Sequence, residues 1–366
     1  MAYTTIDDSS EHFQTALFSG TGATRKTVTN DGNSDLQPDL FWFKRRDSAA
    51  AHVIADTNRG ANVAGPVGYT ITANPNSTAT DVAEGKGVMT ITSNGFTVEE
   101  QAHAAGNVNT GSMVCWQWKC NGGTEQVTVS ESGNNPGHTR QTNVTAGLSI
   151  IVYTGTGAVG TIAHGLGVAP EVLIVKNGSV AVDWAFYHSG MTDAGYTLAL
   201  NNNDAQVDSG TNRWNHTAPT SSVVHIGTGQ QTNQDAKSFL MYAFTPIQGF
   251  SKIGNYIANA NVDGPFVYTG FKPAWILRKA LTRNEPWMLI DNKRNPVNLA
   301  ATSINTSTTA AESTTGDYNI DFLSNGFKVS SGATSYGNHT VGNKYIYMAF
   351  AESPLVTSSG VPATAR

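Results

Sequence analysis

Three stretches of the chain begin with proline and run through apolar residues to a base: PDLFWFK (Pro38–Lys44), PEVLIVK (Pro170–Lys176) and PAWILRK (Pro273–Lys279). Fourteen residues after each proline a second apolar run starts: HVIAD at His52, WAFYH at Trp184 and WMLID at Trp287. A third run closes each interval on an aromatic residue, SMVCWQW at Trp118, SFLMYAF at Phe244 and YIYMAF at Phe350, lying 80, 74 and 77 residues beyond the respective prolines. Such matched spacing predicts one structural unit used three times. The runs are short and separated by Asn, Gly, Thr and Ser, which favours strands over helices. The Pro-initiated runs are apolar at successive positions, as in a central strand covered on both faces, and proline is tolerated as a strand's first residue.

Units of this size, built from short strands with frequent turns, read as β-sandwiches. The predicted organisation is repeat 1 at residues 1–123, a polar linker or hairpin at 124–145, repeat 2 at 146–247, repeat 3 at 248–355, and a tail at 356–366. Repeats 1 and 3 also share SNGFTV (Ser93–Val98) and SNGFKV (Ser324–Val329). The two cysteines, Cys115 and Cys120, sit in SMVCWQWKCNGG but do not recur in the other copies. Five residues apart on an extended strand they would lie roughly 17 Å from each other, too far for a disulfide. Alternation instead sends residues 114, 116 and 118 to one face as core, and Cys115 behaves as a small hydrophobe.

Composition narrows the function classes. Only 13% of the residues are charged, against about 25% in an ordinary globular chain, while 37 glycines serve tight turns. A net charge of −5 without a basic stripe argues against nucleic acid. No apolar run reaches the ~18 residues of a membrane span, and the N-terminus lacks the basic and apolar regions of a signal peptide.

Candidate chemistry is sparse. GTGAVG (Gly155–Gly160) matches a dinucleotide-binding fingerprint, but TIAHGLGVAP follows it, a poor helix, so a turn is the expectation. DTNR (Asp56–Arg59) and DNKR (Asp291–Arg294) occupy matching positions, and an acid and an arginine three apart at a strand end most simply cap a turn and pair. Unit 2 carries His188 and Met191 instead. No facing carboxylate pair, G-x-S-x-G elbow or H-E-x-x-H motif emerges, so no catalytic residue, metal site or cofactor is predicted. The best binding candidate is the loop NNNDAQVDSGTNRWNHTAPT (Asn201–Thr220), where Arg213, Trp214, Asn215 and His216 would offer an exposed aromatic with polar neighbours for a sugar. The alternative is that Trp214 packs against its own sandwich.

The ordered set PDLFWFK…HVIADTNRGA…NGFTV…CWQWKCNGG, GLSIIVYTGTG…PEVLIVKN…WAFYH…TNRWNHTAPTSSVVHIGTG and GFSKIGNY…PAWILRK…DFLSNGFKVSSG…YIYMAFAESP resembles a repeat domain of tailed-phage virion proteins of the marine and cyanobacterial type. It spans about residues 1 to 355; the departures are Cys115 and Cys120, where the motif elsewhere tends to read W-x-W-K-A-N-G-G, and the long segment after unit 1. The resemblance implies concanavalin-like jelly-roll sandwiches stacked into a stiff rod. It further implies a non-enzymatic tail-fibre or tail-apparatus protein, assembled in the bacterial host cytoplasm into the virion, that adsorbs to a host surface glycan. Partners would be other virion proteins and further copies of the chain. A head decoration or head-fibre protein on the capsid and a polysaccharide-degrading tailspike are the alternatives.

Overall fold

The computed structural model describes residues 3–59, 70–71, 88–99, 109–121, 126–316, 318–331 and 336–364. Among them there is no α-helix, only strands, turns and a single 3₁₀ turn at Ser9–Glu11. The three segments marked by the prolines adopt one strand order. The first large sheet runs, in space, Phe13–Ser19, Ser112–Trp118, Leu40–Arg45, Val53–Asp56 and Thr70–Ile71. The third runs Ser251–Ile257, Lys344–Pro354, Phe271–Ala280, Met288–Asp291 and Ile304–Asn305. The second repeats this order with Leu148–Thr154, Ser238–Phe244, Val172–Asn177, Ala185–His188 and Tyr196–Ala199, then adds Val207–Asp208 at that edge. At its other edge the polar segment after unit 1 forms the hairpin Val127–Val129 and His138–Asn143, which extends the sheet; residues 124 and 125 lie outside the described residues.

Register repeats as well. The closing aromatics Trp118, Phe244 and Phe350 stand opposite Leu40, Val172 and Trp275, each two residues past its proline. Across the other edge of that strand the same three residues face Asp56, His188 and Asp291. A one-residue slip would send every apolar side chain to the wrong face, so the matched pattern specifies a matched register.

Alternation divides each large sheet into two apolar faces. The outer face carries Phe41, Phe43 and Cys115 in unit 1, Leu173, Val175 and Met241 in unit 2, and Ile276, Tyr347 and Ala349 in unit 3. Each outer face packs under a smaller sheet: Arg25–Thr29, Gly95–Glu99 and Val88–Thr92; Gly160–Ala163 with Val223–Ile226; and Phe266–Tyr268, Gly326–Val329 and Ile320–Leu323. These pairs of layers are the β-sandwich arrangement. Glycine in the shared SNGF motif is a contact requirement: a Cβ on Gly95 or Gly326 would stand 2.1 Å from the carbonyl oxygen of Val28 or Val267 on the neighbouring strand.

The inner faces meet one another. Trp42, Trp116 and Trp118, then Ile174, Tyr242 and Phe244, then Trp275, Leu277 and Phe350 belong to one buried cluster. Trp275 lies edge-on to Trp118 with ring centroids 5.6 Å apart, and Phe13 stacks on Phe350 at 5.3 Å. The extended rod implied by the resemblance is therefore corrected. Sandwiches whose inner faces remain wholly apolar must cover them, and three such faces turned to a common axis do so in a closed ring.

Matched hydrogen bonds join two of the three seams. Tyr242 of unit 2 donates to Asp56 Oδ2 of unit 1 at 2.8 Å, and Trp116 Nε1 of unit 1 donates to Asp291 Oδ2 of unit 3 at 3.0 Å. At the third seam the aspartate position is His188 and the donor position is Met348. At this seam Gly190 N donates to His188 Nδ1 at 2.8 Å, which leaves Nε2–H to donate to the Tyr347 carbonyl at 3.1 Å. Burial holds this imidazole neutral and lowers it to about 4, a carbonyl partner pulling the other way more weakly. The unfolded chain takes up that proton as pH falls through about 6.5, whereas the fold resists until about 4. Stability is thus complete above pH 6.5 and declines as the pH drops towards 4; the buried His52, lowered in the same direction, adds to the decline. Unfolding midpoints measured from pH 7 to 4 should fall, with a shallower slope in His188→Gln.

Candidate functional site

The expected arginine–acid turns form. Arg59 Nε donates to Asp56 Oδ2 and Arg294 Nε to Asp291 Oδ2, both at 2.6 Å, while the Oδ1 atoms accept the backbone N–H of Arg59 and Arg294. Both aspartates are buried and also receive the Tyr242 and Trp116 donors. They are seams of the fold and present nothing to a ligand. GTGAVG is a loop between the strands Leu148–Thr154 and Gly160–Ala163, with Gly157 at φ +67° and no helix behind it. Cys115 and Cys120 are buried free thiols, and burial raises both well above the ordinary thiol range. Among the described residues, no group of three or more His, Cys, Asp or Glu could hold a metal ion, and no helix is long and apolar enough to cross a membrane.

The loop at 201–220 does not expose its tryptophan. Trp214 is 1% exposed and lies edge-on to Tyr187, centroids 5.7 Å apart, in the outer core of its own sandwich. An indole buries ~150–250 Å² of mostly apolar surface when it packs so, and a loop crossing the outer face of the sheet can place it there. Of the two readings of Trp214, the exposed aromatic is corrected and the alternative, packing against its own sandwich, is the one found. Asn215 and His216 follow at φ +50° and +49°, so the chain reverses immediately after the ring. His216 is thrown outward, its Nε2 3.4 Å from Asp193 Oδ1. Arg213 points to a third place, so the four residues form no common site.

That third place is a cavity of about 350 Å³ in unit 2, lined by Asp183, Asn202, Asp204, Asp208, Asn212 and Arg213, with the buried Trp184 and Leu198 behind them. The strands Ala185–His188, Tyr196–Ala199 and Val207–Asp208 contribute Ala185, Leu198 and Asp208 to its lining; the 201–220 loop supplies most of the rest. Backbone bonds fix the loop: Gln206 N donates to Leu281 O of unit 3, Ser209 N to Gly195 O, and Gly227 N to Arg213 O, each at 2.8 Å. Glycine is needed at 227, because a Cβ there would lie 1.9 Å from Thr211 O.

The cavity's polar groups differ in how far they are committed. Asp183 Oδ1 accepts from Asn201 Nδ2 at 2.7 Å, and Asp208 Oδ1 accepts from Gly210 N at 2.8 Å. Burial lowers the Arg213 guanidinium from its usual range, while the nearby Asp183 carboxylate opposes the shift. Trp184 is fully buried, and its Nε1 has no hydrogen-bond partner among the described residues. The set combines carboxylates, carboxamides and one guanidinium, the composition that orients a polyhydroxylated ligand without net charge. Of these residues the sequence singled out only Arg213; Asn202, Asp204, Asp208 and Asn212 sit in the loop already marked by its polar density, and Asp183 is carried by the separate turn before Trp184.

Set against known proteins, a family described as Domain of unknown function (DUF7483) matches residues 8–354. No curated protein and no solved structure matches the chain.

Proposed function

The chain belongs to that domain family of unknown function, and we propose that it is a non-enzymatic virion component of a tailed phage, part of the tail fibre or tail apparatus, which holds a host surface saccharide in the unit 2 cavity. The virion assignment rests on the resemblance of the repeated motifs. The saccharide assignment rests on one observation: a cavity sized for one or two sugar rings and lined by Asp, Asn and Arg residues. Hydroxyl groups both donate and accept, so carboxylates, amides and a guanidinium around one space answer them.

Binding to an array of bacterial surface polysaccharides tests this reading. Asp204→Ala and Arg213→Gln should each weaken capture about tenfold, the effect of one lost hydrogen bond to a charged group, and leave the unfolding midpoint nearly unchanged. Undiminished capture in both would remove the cavity from consideration. Immunogold labelling of intact particles should decorate the tail; label over the head would replace this with capsid decoration. Release of reducing ends from host polysaccharide would instead favour a degrading spike.

A further inference from the structure

The three smaller sheets place the same two outward positions on a matched strand. They are Thr27 and Thr29 in unit 1 and Thr161 and Ala163 in unit 2, read from their pairing with Thr97 and Gly95 and with His225 and Val223. In unit 3, Phe266 and Tyr268 stand there, opposite Lys328 and Gly326. Packing asks nothing aromatic of these positions, since the inward residue between them is a buried Val28, Ile162 or Val267 in each copy. Yet Phe266 is 48% and Tyr268 53% exposed.

Both rings are held in place. Phe266 Cε2 lies 3.2 Å from the point where a Cβ on Gly326 would be, so the ring lies down on the sheet over a glycine and leaves its other side open. Shielding of a glycine accounts for Phe266 but not for Tyr268. The Tyr268 hydroxyl lies 3.5 Å from that of Tyr3, which itself donates to Gly270 O at 2.6 Å. Around the pair the surface is polar: Lys328 pairs with Asp263, and the loop leading in carries Asn259 and Asn261 beside the exposed Val262.

From this face we infer that Phe266 and Tyr268 form a second saccharide-binding platform, on which sugar rings stack while Lys328 and Asp263 meet their hydroxyls. The inference rests on the reading of the protein as a glycan binder. The open area decides the occupant. Two half-exposed aromatic rings offer on the order of 200 Å², far below the ~800 Å² per partner that a stable protein interface needs, but comparable with the face of a small saccharide. Residues i and i+2 on a strand are roughly 6.6 Å apart, so adjacent rings of one chain can meet both side chains.

Phe266→Thr combined with Tyr268→Thr installs the side chains that unit 1 already carries at these positions, so the fold tolerates the change. On an array of bacterial surface polysaccharides, the double variant should lose at least tenfold in affinity for the glycans the wild type captures, as expected for removal of aromatic anchors. Asp204→Ala, at the cavity, should leave part of that capture intact. Full affinity in the double variant, with loss confined to Asp204→Ala, would overturn the platform and leave the cavity reading standing. A wild-type protein that captures no glycan would overturn both. Concentration-dependent association of the wild type in light scattering, abolished in the double variant, would assign the rings to a protein contact and overturn the platform.

Discussion

Replacing Trp275 by alanine is expected to destabilise the whole molecule by about 3–5 kcal/mol, the usual range for removal of a buried tryptophan, and to shift a single unfolding transition rather than one of several. Trp275 is 1% exposed and makes ring contacts with Phe13, Trp42 and Trp118 of unit 1, as well as Phe350 of its own unit. Its neighbours also border a void of about 20 Å³ that touches Ile174, Tyr242 and Phe244 of unit 2. Deleting the indole therefore opens a cavity shared by all three units, and the surrounding rings are pinned in their own sheets and cannot collapse into it. Calorimetry distinguishes the outcomes. Three independent sandwiches would melt separately, with only the unit 3 transition moving; a closed core melts once, and that transition moves. Trp275→Phe should cost less than half as much, because the indole Nε1 has no hydrogen-bond partner among the described residues and most of the ring volume remains.

The physical reason that closure was not legible in the sequence lies in period two. Alternation separates the two faces of a strand but does not say what covers each: Trp42 and Phe43 are equally apolar, yet one meets the other units and the other meets its own small sheet. Strand positions and the burial of Cys115 were legible, because each follows from spacing along a single strand. Trp214 stayed open between two readings, since a loop's polar composition says nothing about where its one large side chain points, and the reversal at Asn215 and His216 is a backbone property without a sequence signature as plain as glycine. The seam partners did leave a trace. The two copies that keep aspartate, at 56 and 291, are those fed by an aromatic donor, Tyr242 and Trp116, whereas His188 faces the seam whose donor position is Met348. Loss of both members together marks a contact between copies.

That matched loss frames the second large effect. Asp291→Ala is expected to cost about 3–5 kcal/mol, because it strands a buried cation instead of merely deleting a bond. The Arg294 side chain is 0% exposed, its Nε bonds Asp291 Oδ2 and its guanidinium lies 5.5 Å from the Trp116 ring centroid. Glu312 Oε2, 3.7 Å from Nη1, is too distant to take over as a hydrogen-bond acceptor, and it is already engaged by Arg46 at 2.8 Å. The Trp116 Nε1 donor would lose its partner in the same step, so units 1 and 3 lose one of the hydrogen bonds that join them. The double variant Asp291→Ala, Arg294→Met removes the cation along with its acceptor, and an apolar side chain of similar length fills the space. It should recover at least half of the lost stability in denaturant unfolding. A double variant no more stable than Asp291→Ala alone would mean that the seam depends on the hydrogen bond from Trp116, and that neutralising Arg294 contributes little to joining the two units.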